Sequence, residues 1–538
     1  MTIEHWLESA CADADRRELP ELKPLLAALA GAMRTLRAAD WNGTDTGGTW
    51  DEVSGVGDPA TSGVSRQAVG EGGNAADAQA PAPRATLPPH FRTITELAPL
   101  VASGQVTSTS LTEACLAEIA AKSEPLRAFI TVTADEALEQ AAALDKEFGG
   151  GHRRGPLHGI PISLKDLIDM RAVPTTAASA LRHGHVARAD APVVKRLRAA
   201  GAVLVGKTNL HEFAFGTTSD DTAYGAVRNP HDPSRSPGGS SGGSAVSIVT
   251  GMSVASIGTD TGGSIRIPSA ACGTVGLKPT WGEVSARGVV PLSESLDHVG
   301  PLARSVADAW LLYLVLRGDG SAAHWPLPCR SAARGMRLGI PKPYFLETLD
   351  DDVRQRFAES LAWLRQAGAV TVDVVIPHSR EIASVYSLVS LPEASAYHAI
   401  TVADHPELYT PNVRLRVEMG RYLLGEDYVR AQHGRNVLRA EVDTALAGCD
   451  ALALPTLPIP APPIGALMMD VGASQQPVRN MMLRLTQLFN LTGHPAISLP
   501  MGTTASGLPC GFQLVGRRFE TEPLLAVASA CEPHLRLG

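Results

Sequence analysis

The sequence carries little positive charge and no basic tract that could bind a polyanion. Its 538 residues contain 47 Lys and Arg against 55 Asp and Glu, which gives a formal net charge of −8 at pH 7. An acidic chain of this kind is a poor match for the phosphate backbone of nucleic acids or for an anionic membrane surface. We therefore expect neither nucleic acid nor a membrane as a partner.

Cysteine is scarce, and long apolar runs are missing. The seven cysteines are widely spaced and include no CxxC pair, which argues against a disulfide framework or a zinc ribbon and fits reduced thiols. His183 and His185 form an HxH pair without a third ligand nearby in the sequence, so no metal site is expected. The apolar runs are shorter than the roughly 20 residues that span a bilayer, and the first residues are acidic where a signal peptide is basic. The sequence predicts a cytoplasmic protein.

Composition divides the chain into three parts. Over residues 1–41 we expect two short helices, because apolar residues from Leu22 to Leu36 recur at helical spacing. One such helix cannot bury its own apolar face, so this segment should pack on the rest of the chain or bind another protein. Residues 42–90 are rich in Gly, Ala, Asp, Ser and Pro without helix or strand periodicity, and we expect a flexible linker there.

Residues 91–538 form the third part, which has the pattern of a large α/β domain. Runs rich in Val, Ile and Leu alternate with helical stretches, and this indicates a mostly parallel or mixed sheet between layers of helices. Helices are predicted over Thr93–Val101, Ser110–Lys122 and residues 380–440. Strands are predicted over Gly159–Ser163, Ala202–Val205, Val254–Ile257, Arg337–Ile340, Ala451–Leu454, Ala496–Leu499 and Phe512–Val515.

Two glycine-rich segments carry the first chemical signal. They are Ser236–Ser244 (SPGGSSGGS) and Gly258–Pro268 (GTDTGGSIRIP). Glycines beside a serine let backbone N–H groups converge without Cβ atoms in the way, and such a nest can hold a phosphate or the oxyanion of an acyl transfer. Neither segment matches a phosphate-loop motif. Taken alone, such a glycine- and serine-rich segment is more often an ordinary loop than a site.

A third segment, which contains a lysine, favours a catalytic role for the two glycine-rich segments. His158–Asp166 (HGIPISLKD) places Lys165 directly after a strand-like apolar run. Lysine is seldom buried without a reason, although a lysine that leaves the strand end for solvent is the plain alternative. Together, in this order and at this spacing, the three segments resemble the amidase-signature family of serine hydrolases over residues 91–538. The resemblance implies the α/β amidase-signature fold, with a mixed central sheet between helices and the N-terminal helical segment appended to it.

The resemblance also implies a catalytic triad: Ser264 as nucleophile, Ser240 as a proton relay next to a cis peptide bond, and Lys165 as base. The implied oxyanion hole consists of backbone N–H groups of Thr261, Gly262 and Gly263, with Ser264 as a further candidate. A serine hydroxyl needs a base that takes its proton during attack. Lysine can do so only when neutral, which requires its pKa to fall from about 10.4 towards ~7–8. No cofactor is implied.

Two enzymatic functions fit these motifs. One is a self-sufficient hydrolase, a monomer or homodimer that acts on small amides and also on carbamates, including aryl urethanes. The other is the glutaminase subunit of a tRNA-dependent amidotransferase, which needs protein and RNA partners. In those subunits the second glycine-rich motif resembles GGSIRQP, with Gln at the position of Ile267 in this chain. The sequence at residues 392–398 also differs from the stretch that is characteristic of those subunits. Both differences favour the first function. A catalytically inactive scaffold is disfavoured because the triad residues are all present.

One further feature bears on this choice, and two departures from the family pattern bear on the geometry of substrate binding. Residues 1–41 are loosely similar to the small helical companion subunits of amidase-family enzymes, and a fused companion would replace a separate one. Leu167 stands where the family often has Asn, and Ala178 stands where it often has Gly. Both departures should lie near the substrate cleft.

Overall fold

The computed structural model describes a large part of the chain, namely residues 1–41, 87–318, 320, 333–472 and 474–535. The linker expected over residues 42–90 therefore lies outside the described residues as far as residue 86. Pro89–Phe91 form a short 3-10 turn in which His90 contacts Glu118 at 3.3 Å. The last residues assigned to that linker thus belong to the folded body.

Helices and strands alternate along the chain, as the apolar runs predict. The helices are α1 Ile3–Arg16, α2 Leu22–Ala38, α3 Ile94–Ala102, α4 Ser108–Leu126, α5 Ala134–Gly149, α6 Pro192–Ala199, α7 Gly242–Val249, α8 Arg266–Cys272, α9 Val306–Arg317, α10 Tyr344–Glu347, α11 Asp351–Gln366, α12 Ile382–Asp404, α13 Pro411–Gly420, α14 Gly425–Leu446, α15 Val478–Leu483, α16 Leu488–Leu491 and α17 Thr521–Leu535. The strands are β1 Phe129–Val132, β2 Pro161–Lys165, β3 Val203–Thr208, β4 Ala255–Asp260, β5 Val275–Lys278, β6 His298–Ala303, β7 Arg337–Lys342, β8 Val370–Val375, β9 Ala451–Pro455, β10 Met468–Val471, β11 Ser474–Pro477, β12 Ala496–Thr503 and β13 Pro509–Val515.

In the described part of the chain, eleven strands form one mixed sheet in the order β1-β3-β2-β4-β6-β5-β12-β13-β9-β7-β8. The pairs β3–β2, β2–β4, β9–β7 and β7–β8 are parallel. The pairs from β4 through β6, β5, β12 and β13 to β9 are all antiparallel. Strands β2, β3 and β4 are buried along their whole length, and each ends on a buried polar residue, namely Lys165, Thr208 and Asp260. The mixed α/β sheet expected from the sequence is confirmed.

The sheet topology brings the three motif segments to one edge. Strands β2 and β4 are parallel neighbours with Leu164 opposite Ile257, so their carboxyl ends, at Lys165 and Asp260, lie side by side. Helix α7 begins just after the first glycine-rich loop, and α8 begins just after the second. Two loops and one strand end therefore meet where these parallel strands terminate, a common place for active sites in α/β proteins.

Helices α1 and α2 pack against each other, and α2 also packs against α12, α13 and α14. The apolar face of α2 is buried through Leu22, Leu26, Leu29, Ala30, Met33 and Leu36. Polar contacts add to this packing: Trp6 Nε1 donates to the Tyr422 carbonyl at 2.9 Å, and Arg37 donates to both oxygens of Asp427. We call residues 1–41 the N-terminal hairpin. Among the described residues, no helix is long and apolar enough to cross a bilayer.

Candidate active site

Lys165 lies at the end of β2 and is fully buried. Its Nζ contacts Ser240 Oγ at 2.7 Å and Thr259 Oγ1 at 2.7 Å, and the Thr259 carbonyl lies 3.5 Å away. Burial lowers the pKa of Lys165 to about 7, because the charged form loses its hydration, and the negative charges of Asp260 and Asp297 oppose this only in part. A substantial fraction of Lys165 is therefore neutral near neutral pH.

Ser240 lies in the loop before α7, and the Gly239–Ser240 peptide bond is cis. The Ser240 carbonyl accepts hydrogen bonds from the His211 N–H and from Ser219 Oγ, each at 3.2 Å. The next residue, Ser241, donates its N–H to the Ser264 carbonyl at 3.2 Å. This bond joins the loop that carries Ser240 directly to the turn that carries Ser264.

The turn between β4 and α8 is held by a buried ion pair. Arg266 donates to both oxygens of Asp260 at 3.0 and 3.1 Å, and the Ile265 N–H donates to the same carboxylate at 3.1 Å. Burial alone would raise the pKa of Asp260, but Arg266 lowers it below its ordinary value, so the carboxylate stays charged. Asn490 Nδ2 adds a bond to Asp260 at 2.8 Å. The ends of the turn are thereby fixed on either side of Ser264.

The N–H groups of Thr261, Gly262 and Gly263 donate to no acceptor within the described part of the chain. The carbonyls of this turn face the protein instead: Gly262 accepts from Thr486 Oγ1 at 2.6 Å, and Gly263 accepts from the Ile267 N–H at 2.7 Å. A Cβ at Gly262 would lie 2.4 Å from Tyr386 Oη, and Gly263 has a φ of +141°. Only glycine fits at these two positions, and the free N–H groups can bind an oxyanion.

A second buried carboxylate contacts this turn from the side. Thr261 Oγ1 donates to Asp297 Oδ1 at 2.5 Å, and Asp297 Oδ2 accepts the N–H groups of Leu292 and Ser293 at 2.9 and 3.2 Å. Burial raises the pKa of Asp297 to about 6, although these hydrogen bonds act in the opposite direction. Asp297 therefore ties the loop of residues 292–297 to the side chain of Thr261.

Ser264 is almost fully buried and faces a narrow cavity. Thr261 and Gly262 form one wall of this cavity, which we call the Ser264 cavity. The remaining lining comes from residues distant in sequence, namely Ala214, Phe215, Gly216, Thr217, Leu292, Tyr386, Arg479 and Leu483. A substrate carbonyl that enters this cavity would meet the Ser264 hydroxyl and the N–H groups of the turn.

Lys165, Ser240, Ser264 and the three oxyanion candidates thus meet at one end of β2 and β4. Sequence reasoning missed the residues that hold them. Thr259 and Arg266 lie inside the glycine-rich segment Gly258–Pro268, so their position in that motif could have indicated a role in the site. Tyr386 and Arg479 come from remote segments, and no local pattern marks them.

Other residues noted in the sequence lie around this site or away from it. Leu167 lines a small cavity that also contacts Thr259 and Thr261, and Ala178 is buried with a φ of +56°. His183 Nδ1 contacts the Tyr224 hydroxyl at 3.1 Å. Within the described ranges, no group of three or more His, Cys, Asp or Glu side chains could hold a metal ion.

Comparison with known proteins adds an independent observation. A family model described as Amidase matches residues 110–525, a range that includes every site residue and excludes the N-terminal hairpin. The A subunit of the glutamyl-tRNA(Gln) amidotransferase of Chloroflexus aurantiacus is 40% identical over 474 residues, which cover 82% of this chain and 96% of that protein. A crystal structure described as an amidase is 39% identical with a TM-score of 0.78, and the match covers 83% of this chain and 100% of that one. The peptide amidase of Stenotrophomonas maltophilia is 32% identical with a TM-score of 0.70, over 82% of this chain and 97% of that one.

Proposed function

Because this chain belongs to the amidase (amidase-signature) family, we propose that it hydrolyses the carbon–nitrogen bond of a carboxamide through an acyl-enzyme formed on Ser264. The observation that carries this proposal is the fully buried Lys165, whose Nζ lies 2.7 Å from Ser240 Oγ and whose pKa is lowered to about 7. A neutral amine next to a serine hydroxyl is the base that a serine nucleophile needs.

Acylation begins with a proton transfer from serine to lysine. The lone pair of neutral Lys165 accepts the Ser240 proton while Ser240 accepts the proton of Ser264, and the Ser264 oxygen attacks the substrate carbonyl carbon. The carbonyl oxygen becomes an oxyanion, and the free N–H groups of Thr261, Gly262 and Gly263 stabilise it. Collapse of this intermediate breaks the C–N bond, and the relay returns its proton to the departing amine.

Deacylation repeats these steps with water in place of Ser264. Lys165 takes a proton from water through Ser240, the resulting hydroxide attacks the acyl carbon, and the proton returns to Ser264 as the ester bond breaks. The products are a carboxylic acid and an amine or ammonia. Lys165 is neutral again at the end, so the cycle consumes one water and no cofactor.

The identity of the substrate distinguishes two candidate functions, a glutaminase subunit and a self-sufficient amidase. The names of relatives such as the amidotransferase of Chloroflexus aurantiacus favour glutamine as the amide and the role of a glutaminase subunit for this chain. They favour that function more than the carbamate hydrolysis expected from the sequence. Ile267 and residues 392–398 still argue for a self-sufficient amidase, and so does the N-terminal hairpin if it serves as a built-in counterpart of a companion subunit. Amide hydrolysis on Ser264 is common to both.

A substrate panel separates these functions. The purified chain is mixed with L-glutamine, an aliphatic amide, an anilide and an aryl carbamate, and the release of ammonia or arylamine is followed. Self-sufficient amidase activity gives turnover of an amide by the chain alone. If the chain is the glutaminase subunit, it should instead support Gln-tRNA formation when it replaces the corresponding subunit in a reconstituted amidotransferase. An aryl carbamate that is left intact removes the carbamate hypothesis.

The covalent step has its own test. Intact-protein mass spectrometry after mixing with an activated amide should show the added mass of one acyl group on the wild type and none on Ser264→Ala. A mass increase that persists in Ser264→Ala would place the nucleophile elsewhere. Wild type that turns over amides without a detectable adduct under rapid quench would argue against an acyl-enzyme.

A further inference from the structure

Arg479 lies on α15, directly after the β10–β11 ribbon, and lines the Ser264 cavity. Its guanidinium carbon is 5.8 Å from the centre of the Phe215 ring. Arg479 also lines an adjoining cavity together with Thr217, which belongs to both cavities. The Arg479 side chain is therefore exposed to a ligand in either space.

Arg479 has no carboxylate partner and no hydrogen-bond acceptor within the described part of the chain. The comparable arginine of this site, Arg266, is paired with Asp260 and bonds to Gln513 and Asn490 as well. Burial lowers the pKa of Arg479, and only the nearby Tyr386 opposes this effect. A half-buried guanidinium without a counter-ion is costly, because the cation loses hydration without gaining a partner.

The carboxylates around the adjoining cavity do not provide a counter-ion for the Arg479 guanidinium. Burial and Arg479 lower the pKa of Arg416, Asp221 and Asp220 oppose this in part, and the net value is about 9. Asp220 is further engaged by Thr218 Oγ1 and by the Gly465 N–H. Arg416 itself donates to the Phe215 carbonyl at 2.6 Å. The two carboxylates partly offset the burial of Arg416, and in the described part of the chain neither forms an ion pair with Arg479.

We propose that Arg479 binds an anionic group of the substrate, so that the preferred substrates are amides with a carboxylate near the scissile bond. This inference rests on the proposed function, since it takes the Ser264 cavity as the place where the amide is cleaved. A carboxylate there supplies the counter-ion that Arg479 lacks, and the planar guanidinium can bind both carboxylate oxygens at once. Arg479 is then a specificity residue that leaves the triad chemistry unchanged.

Two matched pairs of anilides test this, one for each side of the scissile bond. The acyl-side pair is the anilide of succinic acid and that of 4-oxopentanoic acid, which differ in a carboxylate and an acetyl group. The amine-side pair is 4-acetamidobenzoate and 4-acetylacetanilide. In at least one pair, we expect the acid to have a kcat/KM about tenfold to a hundredfold above that of its neutral partner, the usual range for a hydrogen bond to a charged group. Arg479→Met should abolish this preference, so that the ratio of kcat/KM for the acid to kcat/KM for its neutral partner falls to about one.

Arg484→Met is the matched control, because Arg484 lies on the same segment, donates to the Tyr344 carbonyl and lines neither cavity. The preference for the acid should persist in this variant. Equal kcat/KM values within both pairs for the wild type, or an acid preference that survives Arg479→Met, would overturn the inference.

Binding to catalytically inactive protein separates this inference from the proposed function. Isothermal titration of Ser264→Ala with the same anilides needs no turnover. The acid of one pair should bind about tenfold or more tightly than its neutral partner, and the double variant Ser264→Ala/Arg479→Met should bind both alike. Equal binding in Ser264→Ala would overturn the role of Arg479 even if amide hydrolysis is established. Acid-selective binding that depends on Arg479 would support it even if the reaction proves to be a different one.

Discussion

At the scale of single residues, the proposed mechanism predicts that the protonation of Lys165 controls the reaction, because only neutral Lys165 can accept the Ser240 proton. Its pKa of about 7 predicts that kcat/KM for a neutral anilide rises as pH passes through 7 and levels off above it. The pH-rate profile from pH 5 to 9 measures this limb. A rate that falls over the same range would contradict lysine as the base.

The Thr259→Val substitution tests whether Lys165 is the residue whose ionisation causes kcat/KM to rise with pH. Thr259 Oγ1 lies 2.7 Å from Lys165 Nζ and stabilises the ammonium by accepting one of its hydrogen bonds. Valine removes this acceptor, so the pKa of Lys165 should fall further and the limb should move to lower pH, with a lower plateau. The measurement is the pH-rate profile of the variant beside that of the wild type. An unchanged midpoint would assign the ionisation to another residue.

Asp297 is expected to act on catalysis through Thr261. Asp297→Asn leaves the shape of the side chain but weakens the bonds that Thr261 and the 292–293 backbone donate to it. We expect kcat to fall by about tenfold with little change in KM, since a misplaced oxyanion donor costs stabilisation only in the transition state. Glu294→Gln, in the same loop but exposed, should leave both constants unchanged. A KM effect without a kcat effect would assign Asp297 to substrate binding instead.

At the scale of elements, the N-terminal hairpin is attached through Arg37. Its guanidinium donates to both oxygens of Asp427, which is fully buried on α14. Arg37→Met leaves this carboxylate with only the longer contact to Arg430, and we expect a loss of about 1–3 kcal/mol in the free energy of unfolding.

Chemical denaturation measures this loss. Arg34→Met removes an exposed pair with Glu4 on the same helix hairpin, so it should change the free energy of unfolding by less than about 1 kcal/mol. Equal effects of the two substitutions would mean that the Arg37–Asp427 pair does not hold the hairpin.

Helix α12 links the hairpin to the active site. Its Tyr386 lines the Ser264 cavity, and its Glu393 accepts hydrogen bonds from Ser293 and Ser295 of the loop that ends at Asp297. The same helix packs against α2. Helix α12 therefore contacts both the hairpin and the Ser264 cavity.

At the scale of the whole molecule, deletion of residues 1–86 tests whether the hairpin is part of the folded enzyme, because residues 87–90 already belong to the folded body. The truncated chain exposes the apolar surface of α12–α14 that α2 covers, so we expect a lower Tm and greater aggregation. The triad should remain assembled, because it lies on β2, β4 and their loops. Calorimetry and residual amidase activity measure the two effects. Adding a peptide of residues 1–41 should restore part of the Tm, and a truncated chain with an unchanged Tm and solubility would refute this role.

Much of the fold could be predicted from the sequence because several buried strands contain short runs of Val, Ile and Leu. Strand β3 is the clearest case, since Val203, Leu204 and Val205 are consecutive and all buried. Strands β5 and β6 were missed because Gly, Pro and Lys interrupt their short apolar runs. Strand β8 lies at the sheet edge, and its alternating residues are half-exposed.

The sequence by itself determined the proposed reacting groups, since Lys165, Ser240 and Ser264 each lie in a local motif whose composition fits the proposed chemistry. Only the tertiary structure decided what surrounds them. The lowered pKa of Lys165 depends on complete burial, which no local pattern encodes. Tyr386 and Arg479 reach the Ser264 cavity from segments more than a hundred residues away in the chain. Substrate choice depends on such remote side chains, because a pocket is formed by whichever elements the fold packs around the reacting serine.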